Sequence, residues 1–208
     1  MNILITGASG MIGSRLGRYF TDAGHQVHGL VRDGSAADPF RWDSTSQTCY
    51  LDPSVSLDVV INLAGETSQG RWNAAKKSEI LNSRVNLTRA LATALAASST
   101  PPRLFLSASA VGFYGENGDV LVDENSPSGN DFLAEVAREW ESATSPCREA
   151  GIRVVHGRLG VVLSPDGGAL KEMLLPFKMG LGGRVGDGRQ YWSWVSICLL
   201  YTSDAADD

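Results

Sequence analysis

Short apolar runs alternate along this chain with longer stretches whose apolar positions recur at helical spacing. The run Asn2–Thr6 predicts a buried strand, and Met11–Ala23 predicts an amphipathic helix stopped by Gly24. Gln26–Val31 predicts a second strand and Phe40–Trp42 a short third one. The segment Asp43–Leu57 is polar and poorly periodic, which predicts a loop. Asp58–Leu63 predicts a fourth strand that leaves through Ala64, Gly65 and Glu66. Asn73–Ser98 reads as one long helix with Ile80, Val85, Leu87, Leu91 and Leu95 apolar, ended by Pro101 and Pro102. Arg103–Ser107 predicts a fifth strand, Asp131–Ala150 a helix and Ile152–His156 a sixth strand. Leu170–Met179 predicts a short helix, and Tyr191–Val195 is strand-like.

Strands alternating with helices through short connections imply a Rossmann-like α/β fold, a doubly wound parallel sheet with helices on both faces. Such sheets bind ligands beyond the C-terminal strand ends, near the point where strand order reverses. The turns after strands one, two, four and five should therefore line a site.

The first of these turns carries the most chemistry. Gly7, Gly10 and Gly13 stand at Gly-x-x-Gly-x-x-Gly spacing between the first strand and the first helix. In that setting the first glycine permits the tight turn, the second admits a pyrophosphate, and the third lets the helix pack on the strand. The expected dinucleotide-binding residues are Gly7, Ser9, Gly10, Met11, Ile12 and Gly13, with Leu63, Ala64 and Gly65 after the fourth strand. An ordinary strand–helix turn with spare glycines is the alternative, and the motif's position between strand and helix argues against it. At the end of the second strand stands Arg32, where an acid would read the ribose of NAD. A guanidinium there can grip a 2′-phosphate, so NADP is favoured over NAD. Asp33 follows one residue late and counts the other way. Asp43 is placed either to accept from the adenine amino group or to serve as a plain loop carboxylate.

The bulk properties narrow the field. A chain of 208 residues, 43% hydrophobic and 20% charged, suits one domain with a real core. A net charge of −5 gives no sign of nucleic acid or an anionic membrane as partner, and no run is long enough to span a bilayer. The expected partner is a small-molecule substrate. Cys49, Cys147 and Cys198 lack metal-ligand spacing and His25, His28 and His156 are scattered, so no metal site is expected. Free thiols and the lack of a signal peptide point to the cytoplasm. The tail Cys198–Asp208 reads as the in-frame translation of a transposase-based sequencing adapter. It is expected to be non-native and disordered, which makes residues 1–197 an incomplete nucleotide-binding domain.

The chain resembles the extended short-chain dehydrogenase/reductase superfamily, and within it the YfcH-like group of epimerase-family proteins. The matching stretches are Ile5–Gly13, Ile61–Glu66, Arg71-Trp72, Ser83–Val85, Ser107–Gly115, Phe132–Val136, Trp140-Glu141 and Gly182–Gln190. The resemblance implies a C-terminal substrate lobe on the order of a hundred residues, which this chain lacks. It also implies an active site with Ser or Thr, a Tyr-x-x-x-Lys pair and an Asn. Ser109 matches the serine. The helix that should carry the pair reads Phe132-Leu133-Ala134-Glu135-Val136-Ala137 and supplies neither Tyr nor Lys, and Arg84 replaces the Asn. Tyr114 as acid/base and Arg84 as charge-stabilising donor are the candidate substitutes, beside Ser109. Two functions follow. One is an atypical NADP-dependent oxidoreductase or epimerase on a small carbonyl or sugar-like substrate. The other is a non-catalytic NADP(H)-binding sensor or partner-binding module, some members of the group being named as cell-division factors.

Overall fold

Leu4, Val60 and Phe105 point to one side of a parallel sheet while Ile3, Ile5 and Ile61 point to the other, so both faces need a helical cover. The computed structural model describes residues 1–202 apart from 69 and 185. Its elements begin with β1 (Asn2–Thr6), α1 (Met11–Asp22) and β2 (Gln26–Gly29), followed by β3 (Val31–Arg32), β4 (Phe40–Asp43) and β5 (Thr48–Leu51). Then come β6 (Val59–Asn62), α2 (Ala74–Ala96) and β7 (Leu104–Ala110), with a 3-10 turn at Val111–Tyr114. The chain continues through α3 (Phe132–Ser142), α4 (Ser145–Glu149), β8 (Arg153–Leu159), β9 (Val161–Leu163), α5 (Gly168–Lys178), β10 (Trp194–Ser196) and α6 (Leu199–Thr202).

Five parallel strands make the main sheet in the order β2-β1-β6-β7-β8. Leu87, Leu91 and Leu95 of α2 and Cys147 of α4 bury against one face, and Leu16 and Phe20 of α1 pack on the other. The fold is the Rossmann-like α/β arrangement that the alternation implies. Strand order reverses between β1 and β6, which places the switch point there.

Several elements depart from the sequence pattern. The second strand breaks at Leu30, and the chain leaves the main sheet to pair β3 with β4 in a separate β3-β4-β5 sheet. The loop expected over Asp43–Leu57 contains β5, antiparallel to β4. Its turn is fixed by Asp43, whose Oδ1 accepts from the amides of Thr45 and Ser46, and by Gln47 at φ 55°. The helix expected over Asp131–Ala150 is two helices. Pro146 has no N–H to donate and its ring would clash with the Ser142 carbonyl, so α3 ends and α4 restarts. The fifth strand runs to Ala110, which puts Ser109 inside β7 and not in the turn after it. Contrary to the disorder expected of the tail, residues 199–202 form α6; residues 203–208 lie outside the described residues. Among the described residues no helix is long and apolar enough to cross a membrane, and no His, Cys, Asp and Glu group could hold a metal.

Candidate functional site

The turn between β1 and α1 is built so that only glycine fits at its two ends. Gly7 has φ +67°, and a Cβ there would lie 3.1 Å from the Ala64 amide nitrogen. A Cβ on Gly13 would lie 2.2 Å from the Gly7 carbonyl oxygen, so α1 can start against the turn only because Gly13 has no side chain. The Gly10 amide donates to the Gly7 carbonyl at 2.9 Å and closes the turn. Gly10 caps α1 without a side-chain acceptor, and no acid stands in its first turn. The helix therefore presents its N–H groups and positive dipole end to whatever lies in front.

A second helix start lies beside it. α5 is capped by Gly167, again without a side-chain acceptor. A Cβ on Gly167 would lie 3.2 Å from Met11 Sδ, and Arg15 pairs with Asp166. Behind the turn runs a buried polar chain. Thr6 Oγ1 donates to Asn62 Oδ1 at 2.7 Å and accepts from the amides of Leu63 and Ala64, both at 3.1 Å. Asn62 Nδ2 donates to Thr88 Oγ1 at 2.8 Å and Ser107 Oγ at 3.2 Å, and Trp140 Nε1 donates to Thr88 Oγ1 at 3.0 Å. These bonds fix the backbone after β6 against β1.

In front of these elements lies a cleft of about 670 Å³ at the C-terminal ends of β1, β6 and β7. Gly7, Gly10, Met11, Ile12, Gly13, Leu63, Gly65, Arg84 and Ser109 line it. The α3 side of the cleft is Leu133, Val136, Ala137 and Trp140, and carries no acid, base or lysine. The other expected residues sit elsewhere. Ser9 is exposed at the tip of the turn, and Ala64 backs onto Gly7. Asp43 has its carboxylate engaged in the β4–β5 turn. Hydrogen bonds from the Ser46 and Thr45 region hold its pKa below the usual value. Arg32 lies on β3 with its side chain 68% exposed, 3.5 Å from Asp33 and over the Trp42 ring. Tyr114 lines a neighbouring cavity of about 940 Å³ together with Asp119, Arg158 and Tyr191.

Arg84 is anchored through Nη1. Its Nη1 donates to the carbonyls of Glu66 and Ile80, each at 3.0 Å, and its guanidinium lies over the Trp140 ring. Burial lowers its pKa, opposed by the charge of Glu66. Glu66 itself pairs with Lys76 at 2.8 Å. Ser109 is buried, and its Oγ donates to Glu141 Oε1 at 2.7 Å. Arg158 grips Glu141 in a fork, Nε to Oε1 at 2.8 Å and Nη2 to Oε2 at 2.9 Å, while its Nη1 donates to Tyr114 Oη at 2.9 Å. His156 Nδ1 lies 3.4 Å from Glu141 Oε2. Burial raises the Glu141 pKa, but hydrogen bonds from Arg158, His156 and Ser109 outweigh it and hold the group far below the usual range. Glu141 and Arg158 were missed as site residues. Ser109 and Arg158 meet only through the β7–β8 register, which no local pattern reveals.

Residues 3–198 match the NAD dependent epimerase/dehydratase family. The chain is 41% identical over 197 residues to "Epimerase family protein Mb2239" of Mycobacterium bovis, covering 94% of this chain and 65% of that protein. It thus spans just under two thirds of that relative's length. Among solved structures, human epimerase family protein SDR39U1 with NADPH is similar at TM-score 0.81 and 33% identity, covering 95% of this chain and 66% of that one. A nucleoside-diphosphate sugar epimerase from Corynebacterium glutamicum is similar at TM-score 0.81 and 39% identity, covering 96% and 42%.

Proposed function

Because the chain belongs to the NAD dependent epimerase/dehydratase family, we propose that its cleft binds NADP(H) and serves an atypical oxidoreductase or epimerase. The substrate class is a small carbonyl or sugar-like molecule. The glycine turn carries this reading, since a Cβ at Gly7 or Gly13 would strike the backbone of Ala64 or Gly7 and open the tight turn that sets the start of α1 at the cleft. The two helix starts at Gly10 and Gly167 would face the pyrophosphate, and Ser109 would stand at the nicotinamide end. When bound, the nicotinamide supplies hydride transfer. The chain's own residues bind, orient and exclude water. Similarity to a protein whose structure contains NADPH supports the phosphorylated cofactor.

The apolar α3 wall supports a second reading, a non-catalytic NADP(H)-binding sensor or partner module. Phe132 with Val136, or Leu133 with Ala137, stands where the superfamily resemblance calls for Tyr and Lys, and in neither register can the pair move a proton.

Arg32 gives the decisive test of the cofactor. NADPH and NADH are titrated by fluorescence against the chain and its Arg32→Ala variant. NADPH should bind more tightly, and the variant should lose about 1.5–3 kcal/mol toward NADPH alone, the worth of a charge-assisted contact. Equal affinities for the two cofactors would overturn the assignment to NADP.

A further inference from the structure

The 2.7 Å contact between Ser109 Oγ and Glu141 Oε1 has a direction. Arg158 holds Glu141 through both carboxylate oxygens, and a carboxylate so paired is an acceptor only. The hydrogen in the contact therefore belongs to Ser109. A hydroxyl has one hydrogen and two lone pairs, so toward the cleft that it lines Ser109 has acceptor capacity alone. We propose that Glu141 is a positioning residue that fixes Ser109 as a hydrogen-bond acceptor. The ligand group seated on Ser109 is then a donor, a hydroxyl or an amide N–H, and not a carbonyl oxygen.

The opposite orientation is disfavoured by elementary electrostatics. If Ser109 turned its hydrogen to a ligand carbonyl, its oxygen would face the Glu141 carboxylate lone pair to lone pair. Arg158 opposes the remedy of protonating Glu141, because its guanidinium loses its partner when the charge goes. The same guanidinium orients Tyr114. Its Nη1 donates to Tyr114 Oη, so the phenol keeps its own hydrogen for an acceptor in the adjoining cavity. One part-buried ion pair thus sets an acceptor on one side and a donor on the other. The proposal rests on the cofactor reading above and adds to it the chemistry at the inner end of the cleft. Of the two substrate classes, it selects the hydroxyl-bearing, sugar-like one if substrate is what Ser109 touches.

Two sources can supply the donor, the carboxamide of the cofactor or a hydroxyl of the substrate. Fluorescence titration of NADPH against its reduced 3-acetylpyridine analogue, a methyl ketone in place of the carboxamide, tests the first. Ligand-observed NMR of cyclohexanol against cyclohexanone, on the chain saturated with NADP⁺, tests the second. In one arm the donor-bearing member should bind about fivefold more tightly, the worth of one neutral hydrogen bond. Ser109→Ala should abolish that preference. Glu141→Gln should weaken or reverse it, since its amide can donate to Oγ and turn the serine hydrogen outward. Ser109→Ala leaves the Glu141–Arg158 pair in place, so the test stays decisive even where Glu141→Gln does not fold. A preference for the carbonyl member, no preference in either arm, or a preference that survives Ser109→Ala would overturn the proposal. Failure of NADPH itself to bind would overturn the cofactor reading and this proposal together, whereas NADPH binding without a donor preference overturns this one alone.

Discussion

Gly13 shows how a single missing methyl group lets a helix start against a turn. Its would-be Cβ meets backbone at 2.2 Å, and backbone cannot swing aside as a long side chain can. Gly13→Ala should therefore push α1 away from the turn, cost about 3 kcal/mol of stability and weaken NADPH binding. Denaturant melts and cofactor titration on the same preparation check both effects; a variant of unchanged stability would mean that the turn yields. Glu141 sets a different expectation. Its side chain is 11% exposed and its folded pKa is depressed. A depressed carboxylate stabilises the fold fully above the unfolded pKa of about 4.3, and that stability is lost as pH falls below it. Exposed acids such as Asp33 and Asp58 share the direction of shift, so the difference between two proteins is the useful measure. Thermal melts of the chain and of Glu141→Gln, taken from pH 7 down to acid, should converge as the pH drops. Curves that stay parallel would remove Glu141 from the acid response.

At the scale of elements, the centre of the main sheet was legible because β1 and β6 are buried and read as nearly unbroken apolar runs. The glycine turn was legible because its constraint is local, three glycines between a strand and a helix. The outer β3-β4-β5 sheet was only partly so. β5 has four residues with Cys49 buried and Tyr50 exposed, too short a signal to stand out from a polar loop. The split between α3 and α4 was written in Ser145-Pro146, and the helical period on either side masked it. The chemistry around Ser109 was the least legible part. Glu141 comes from α3 and Arg158 from β8, and they meet Ser109 only once β7 and β8 are in register. The sequence marked Arg84 and Tyr114 as candidates; Arg84 lines the cleft with its Nη1 held by two carbonyls, and Tyr114 lines another cavity.

For the whole molecule, the described part between residues 175 and 194 carries a concentration of uncovered apolar side chains. Leu175, Phe177, Met179, Leu181, Trp192 and Trp194 are each more than half exposed, and α5 buries none of its residues fully. Exposed apolar surface of this kind drives association. Light scattering of the chain should rise with concentration, and the double variant Phe177→Ser, Leu181→Ser should reduce it while leaving the melt of the main sheet unchanged. A monodisperse monomer at high concentration would contradict this.

The exit of the chain from the main sheet at Leu30 has a consequence for how this protein can change. Val31 and Arg32 are exposed and belong to a two-residue strand outside the main sheet. Substitutions there meet the core cluster of Leu4, Val60 and Phe105 through Trp42, whose ring lies under Arg32, and should combine additively with core changes that leave Trp42 in place. The selector proposed for the cofactor's phosphate thus lies on the rim of the scaffold and meets it through Trp42. A lineage could exchange one dinucleotide for the other at Arg32 by small steps, keeping Asp33 for the turn that it holds through Ser44, without passing through an unfolded ancestor.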